Sequence, residues 1–259
     1  MNADVETTPP QPIDNFIRYQ EMMFRRQQRV LRVAMRGLDG TEALREELLD
    51  QIKDCVRKRR NEEELQERLY LLGFLGEETE FDALVEIIMP EEEDDTPFLV
   101  LAEHPLLRDE ETRVQLLVAL GALGQQLENR DGGRLETLAF LLRRGMSDEM
   151  PDVKVAAAGA ISRSVKYSRQ GMTHYAPLVR PLIRMLGEPG WTIKRAALSA
   201  MADIPTPECQ RALTRFHARA EDDHLKHFTE WAMNRVHERS GVFRSLLRSL
   251  ESIRKGARK

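Results

Sequence analysis

Four stretches of this 259-residue chain can be laid over one another. Thr112-Arg-Val-Gln-Leu-Leu-Val-Ala-Leu-Gly121 aligns with Val153-Lys-Val-Ala-Ala-Ala-Gly-Ala-Ile-Ser162 and with Ile193-Lys-Arg-Ala-Ala-Leu-Ser-Ala-Met-Ala202. Leu225-Lys-His-Phe-Thr-Glu-Trp-Ala-Met-Asn234 is a looser copy, and the successive offsets are 41, 40 and 32 residues. An earlier copy survives as Leu71-Leu-Gly-Phe-Leu-Gly76, parallel to Ala119-Leu-Gly-Ala-Leu-Gly124 and 48 residues before it. Each main copy carries a base at its second position (Arg113, Lys154, Lys194, Lys226), followed by small and apolar residues where two helices would approach closely. A period near forty residues is long enough for one helical hairpin. One hairpin cannot bury its own apolar face, so successive units must stack and share a core.

Helical periodicity fills the chain between these landmarks. Leu44, Leu48, Leu49, Ile52, Cys55 and Val56 lie on one helical face of a segment starting at Thr41 and closed by the basic run 57–60. Asn61 and Glu64 have the spacing of a capping box. Second helices are expected at about 79–88, 133–144, 175–186 and 207–220. The run Phe98-Leu-Val-Leu101 is the most strand-like and is isolated.

The stacked segments resemble the first helix of the HEAT repeat, a helical hairpin related to the armadillo repeat, whose pattern is roughly Val-Arg-x-x-Ala-Ala-x-Ala-Leu-Gly. The likeness covers about residues 61–238 and is strongest at Arg113–Gly124 and Lys154–Ser162. It implies an all-α, right-handed solenoid of about four to five hairpins, with helical caps at 14–60 and 239–259; residues 1–13, with Thr7, Thr8, Pro9, Pro10 and Pro12, read as a disordered lead-in. The resemblance also implies that the second helix of each pair lines the concave face.

Composition excludes several classes. Charged residues make up 32% and apolar ones 41%, the net charge is −4, and there are only two cysteines. The chain is therefore neither a disordered polyelectrolyte nor a disulfide scaffold. No apolar run approaches the roughly 20 residues of a membrane span. The start, Met-Asn-Ala-Asp-Val-Glu, lacks a basic segment and an apolar core, so a cytoplasmic location is expected. The near-neutral total hides blocks. Residues 61–112 carry 18 acids and 2 bases, whereas residues 239–259 carry 7 bases and 1 acid. Such asymmetry concerns partners rather than fold.

The expected second helices change sign along the chain. The first carries Glu80, Asp82 and Glu86; the second Arg134, Arg143 and Arg144; the third Arg180 and Arg184; the fourth Arg211, Arg215 and Arg219. On the fourth, the three arginines fall within about 80° of helical arc, beside an apolar sector of Ala212, Leu213, Phe216 and Ala220. Because the guanidinium fork holds carboxylate or phosphate bidentately, these eight arginines are the candidate partner-binding set, for an acidic or bipolar segment. Two further surfaces are candidates. One is the loop 90–97, with Glu91, Glu92, Glu93, Asp94 and Asp95 between prolines. The other is a basic amphipathic C-terminal helix with Phe243, Leu246, Leu247 and Leu250 on its apolar face, set off by a break at Ser240-Gly241. Such a helix suits the end of the solenoid, a partner or a peripheral membrane surface, and the basic tail meeting the acidic block of another copy would give salt-sensitive self-association.

Catalytic motifs are missing. There is no Gly-x-Ser-x-Gly, phosphate loop, dinucleotide fingerprint or His-Glu-x-x-His. The one histidine cluster, His224 and His227 near Glu221 and Glu230, lacks a second copy, and iron-binding HEAT-like hydroxylases use repeated His-Glu pairs where this chain has only His237-Glu238. No metal and no cofactor are expected. Cys55 and Cys209 read as packing residues, and Trp191 and Trp231, at repeat starts, as packing residues or partner anchors. The function these features predict is a non-catalytic adaptor that binds another protein. The alternative is a nucleic-acid-binding protein using the basic groove, disfavoured by the acidic block and a pI near 6.0. A further alternative is a lyase or metal-dependent hydroxylase of the HEAT-like kind.

Overall fold

The close-packed positions of the repeat determine where its helices meet. The computed structural model describes residues 41–58, 62–89, 107–127, 132–165 and 172–256. The N-terminal part of the expected cap (14–40), Asn61 of the proposed capping box, the run 98–101 and the acidic loop 90–97 lie outside the described residues. The chain divides into Met1–Leu44, described only over residues 41–44, and Arg45–Lys259.

The helices are α1 (Thr41–Lys58), α2 (Glu62–Leu75), α3 (Glu78–Ile88), α4 (Glu110–Leu123), α5 (Gly132–Gly145), α6 (Pro151–Val165), α7 (Met172–Tyr175), α8 (Val179–Leu186), α9 (Trp191–Ala202), α10 (Pro207–Arg219) and α11 (Asp223–Gly256). The described residues contain no strand. The architecture is an all-α solenoid. First helices α2, α4, α6, α9 and α11 stack in sequence, and α3, α5, α8 and α10 flank them as second helices. Their shared core is led by fully buried Leu116, Leu117, Leu120, Leu135, Leu138, Leu142 and Ile161.

Small residues set the spacing of the first helices. A Cβ on Gly73 would lie 2.9 Å from Ala119 Cα, and one on Gly121 would lie 2.7 Å from Ala160 Cα. These are the same register position in successive repeats. At the next interface the equivalent residue is Ser162, buried, with its hydroxyl 3.5 Å from that of Ser199.

In two repeats the base at the second position of the aligned segment ties the hairpin to the turn that follows it. On α4, the buried Arg113 donates to Leu107 O (2.6 Å) and Arg108 O (2.8 Å) and sets its Nε 3.0 Å from Asp148 Oδ2, after α5. Forty-one residues on, Lys154 Nζ lies 2.6 Å from Glu188 Oε2, after α8. A third turn acid, Asp203, is buried and receives Arg235 (3.2 Å) and Arg239 (2.9 Å) from α11. Caps reinforce the starts. Asp109 accepts from Thr112 N (2.7 Å) and from Gln66 of α2 (2.9 Å), and Thr206 accepts from Cys209 N with Pro207 in the first turn. Burial raises the Asp109 carboxyl, but the Thr112 and Gln66 hydrogen bonds and the charge of Arg113 outweigh it and hold it below the usual range.

Two expectations need correction. The helix expected over 175–186 is broken: a 3-10 turn, Ala176–Leu178, separates α7 from α8. Pro177 has no N–H to give to an α-helical bond, so the chain takes the tighter turn there. The break expected at Ser240-Gly241 does not occur, and α11 runs unbroken to Gly256. Phe243, Leu246, Leu247 and Leu250 therefore belong to the continuation of the last first helix, not to a separate one. The Ser240 hydroxyl donates to Val236 O at 2.7 Å, an i−4 bond compatible with helix, and an interior glycine costs only about 1 kcal/mol.

Two glycines of the first helices should respond in opposite directions. Gly121→Ala forces apart backbones already in contact and is expected to lower unfolding stability by about 1–3 kcal/mol. Gly159→Ala, where an added Cβ meets nothing within 4 Å, is expected to raise it by about 0.5–1 kcal/mol. Asp148→Ala strands the buried Arg113 charge and is expected to cost about 3–5 kcal/mol. Glu188→Ala, at a half-exposed pair, should cost below about 1 kcal/mol. Urea unfolding followed by circular dichroism reads all four.

Candidate functional site

The second helices are held by their apolar stripes, which leaves the opposite stripes to carry charge. On α10, Cys209 and Leu213 are buried, while Arg211, Arg215 and Arg219 are exposed. On α8, Val179, Pro181, Leu182, Met185 and Leu186 are buried, leaving Arg180 and Arg184 outside. On these two helices packing therefore leaves the arginines at the surface. Arg180 is 86% exposed, with Nε 3.7 Å from Glu208 Oε1 of α10. Among the described residues, Arg184, Arg211, Arg215 and Arg219 form no ion pair.

The arginines of α5 are used differently. Arg134 grips Asp82 of α3 through Nε (2.9 Å) and Nη2 (2.6 Å), and Nη1 lies 3.2 Å from Glu78. It ties two second helices together. Arg143 and Arg144, in the last turn of α5, lie 5.7 and 5.0 Å from the Phe140 ring centre, and only Arg143 is exposed. A weaker tie of the same kind links α5 to α7, where His174 Nδ1 sits 3.5 Å from Glu136. The acids of α3 are thus partly neutralised, whereas the arginines of α8 and α10 have only the loose Arg180–Glu208 contact among the described residues.

Between α10 and α11 lies an open cleft of about 550 Å³, lined by Gln210, Arg211, Thr214 and Arg215 from α10 and by Met233, Asn234 and His237 from α11. Its lining contains no carboxylate. The sequence points to Arg211 and Arg215 but misses the other five. The available signal was the 3.6-residue period: once α10 and α11 are neighbours, 210/214 and 233/237 fall on facing stripes. The histidine cluster resolves differently from its spacing. Glu230 Oε1 lies 2.9 Å from His217 Nε2 on α10, and Glu230 Oε2 lies 3.9 Å from His227 Nδ1, while His224 is exposed. Among the described residues no group of three or more His, Cys, Asp or Glu side chains is placed to hold a metal ion. Trp191 and Trp231 carry Arg195 and Arg235 over their rings, at 4.8 and 5.7 Å.

No protein-family model and no curated protein matches the sequence. Solved structures do. A designed armadillo repeat protein in complex with peptide (KR)4 superposes with a TM-score of 0.50 at 14% identity, over 83% of this chain and 94% of that one. The fold is a HEAT/armadillo-like helical repeat. A second designed armadillo repeat protein (TM-score 0.39, 16% identity, 73% and 98% covered) and an engineered protein (0.44, 12%, 82% and 97%) are also similar. None of the described helices of this repeat fold is long and apolar enough to cross a membrane.

Cys55 of α1 and Cys209 of α10 are both buried thiols. Burial pushes the Cys209 thiol up to about 11, against the lowering effect of Thr206. Since the thiolate is the reactive form, Cys209 is expected to react with a disulfide reagent at pH 8 only as the chain unfolds. A native protein that consumes the reagent at the rate of a free thiol would contradict this placement.

Proposed function

We propose that this protein is a non-catalytic HEAT/armadillo-like adaptor that binds an acidic segment of another protein along α8 and α10. The observation that carries the reading is the contrast within the row of second helices. Arg134 is neutralised by Asp82 and Glu78, whereas Arg184, Arg211, Arg215 and Arg219 stand exposed on helices whose other faces are buried. Arg180 is only loosely paired, and Arg143 extends the basic surface.

A repeat scaffold suits this task. Its rigid helices present side chains at fixed intervals, so an extended partner can engage several of them with little ordering of the receptor. The similar designed armadillo protein is in complex with a basic peptide. The exposed charge on α8 and α10 is positive, the same sign as that peptide, so the partner expected here is acidic instead. Nucleic acid fits the arginines too, but the 18 acids in residues 61–112 would repel a long polyanion laid across the solenoid.

Titration of a labelled, roughly twelve-residue Glu/Asp-rich peptide by fluorescence anisotropy tests the reading. Binding should weaken between about 50 mM and about 200 mM salt. The Arg184→Glu/Arg215→Glu double variant should lose about 30-fold or more, corresponding to at least ~2 kcal/mol. A single-stranded oligonucleotide and a Lys-rich peptide serve as comparators. Equal affinity of wild type and variant for the acidic peptide would refute the proposed face, and tighter binding of the oligonucleotide would replace the protein partner with a nucleic acid.

A further inference from the structure

The cleft between α10 and α11 is chemically narrower than a generic basic surface. Resting on the adaptor reading above, we infer that it is the receptor for a phosphate monoester on the partner's acidic segment, a phosphorylated serine or threonine.

The lining comprises two guanidiniums, two carboxamides, a hydroxyl, an imidazole and one thioether, with no carboxylate among them. Arg211 and Arg215 are one helical turn apart, about 6 Å between their stems, so both forks can turn toward one anion. A carboxylate has two oxygens whose acceptor sites lie in one plane, so one guanidinium fork takes its bidentate edge and donors arriving from outside that plane meet it less well. The second guanidinium, together with Asn234, Gln210 and Thr214, would be only partly used by it. A phosphate monoester has three terminal oxygens in a tetrahedral array and a charge of about −1.5 to −2 at neutral pH, which matches two forks and additional neutral donors arriving from a second helix.

Neighbouring acids do not cancel this field. Glu208 lies against Arg180, Glu230 against His217, and Asp203 against Arg235 and Arg239. Glu238, next to His237 in sequence, is exposed and is not part of the lining. Met233, half-buried, supplies an apolar surface for the carbon stem of the esterified side chain. At about 550 Å³ the cleft is larger than a phosphoryl group, leaving room for the flanking backbone. No Phe, Tyr or Trp lines it, and His237 gives a single small ring rather than the row of stacking platforms a single-stranded nucleic acid uses, which favours a phosphopeptide over a single-stranded nucleic acid.

The test compares four labelled peptides, identical except for a central Ser, Asp, phosphoserine or phosphothreonine in an acidic context, against the full chain. Wild type should bind the phosphorylated peptides about tenfold or more tightly than the Ser and Asp peptides. In Arg211→Gln/Arg215→Gln that preference should fall below about twofold. In Arg184→Gln, outside the cleft, all four affinities should fall together and the preference should persist. Inorganic phosphate should compete with the phosphopeptides in wild type. Equal affinity for phosphoserine and Asp would overturn the phosphate site and leave the acidic-segment reading standing, whereas failure of every peptide to bind would overturn both. Tighter binding of a single-stranded oligonucleotide than of the phosphopeptides would also overturn it. The substituted arginines are exposed, and thermal unfolding of each variant checks that the fold is retained.

Discussion

The whole solenoid depends on how closely its first helices can approach. At Gly73 and Gly121 the backbone of one helix lies against an alanine of the next, at separations that leave no room for a Cβ. This contact sets the repeat spacing. Once α2, α4 and α6 are so close, Leu72, Leu117, Leu120, Leu135 and Leu138 are squeezed out of water together, and no hairpin has a core of its own. Replacing glycine by serine at the third interface keeps the spacing nearly as small and lets two hydroxyls, Ser162 and Ser199, face each other.

Electrostatics then divides into two populations with different work. Buried or half-buried charges are internal ties. Arg113–Asp148 and Lys154–Glu188 join a first helix to the turn after its hairpin, with nearly the same spacing in sequence. Asp203 receives two arginines from α11 and anchors that long helix to the end of the stack. A fully buried pair such as Arg113–Asp148 contributes little net stability over an apolar alternative, but its loss is expensive, so it acts to hold one register. The exposed arginines of α8 and α10 make no comparable ties and remain available to an external anion.

Much of the solenoid was legible in the sequence because its constraints repeat. The base at the second position, the small residues of the interface and the apolar face recur at nearly constant offset, so each copy supports the reading of the others. What was missed is local or relational. Pro177 breaks a helix that periodicity alone continues, and Gly241 is absorbed into a helix that composition alone ends. The pairing of Arg134 with Asp82 and Glu78 spans 52 and 56 residues, so no single helix face reveals it. The cleft needs two stripes from different helices to be set side by side. His237 and Asn234 carry no motif of their own, and only the packing of α11 on α10 gives them a shared surface with Arg211 and Arg215.

That last dependence has a physical consequence for how such a surface works. In a solenoid each unit contacts only its neighbours, so the geometry of the α10–α11 cleft is set by the packing of α9, α10 and α11 and by the Asp203 ties, not by distant repeats. Arg211 and Arg215 rise from one turn of a rigid helix, and Asn234 and His237 from one turn of another. Fixing the donors costs side-chain entropy alone, because the backbone beneath them is already ordered. A loop bearing the same residues would have to be ordered by its ligand. Here the repeat supplies that order in advance, and the affinity left for the anion is set by how many of its oxygens the two helices can reach at once.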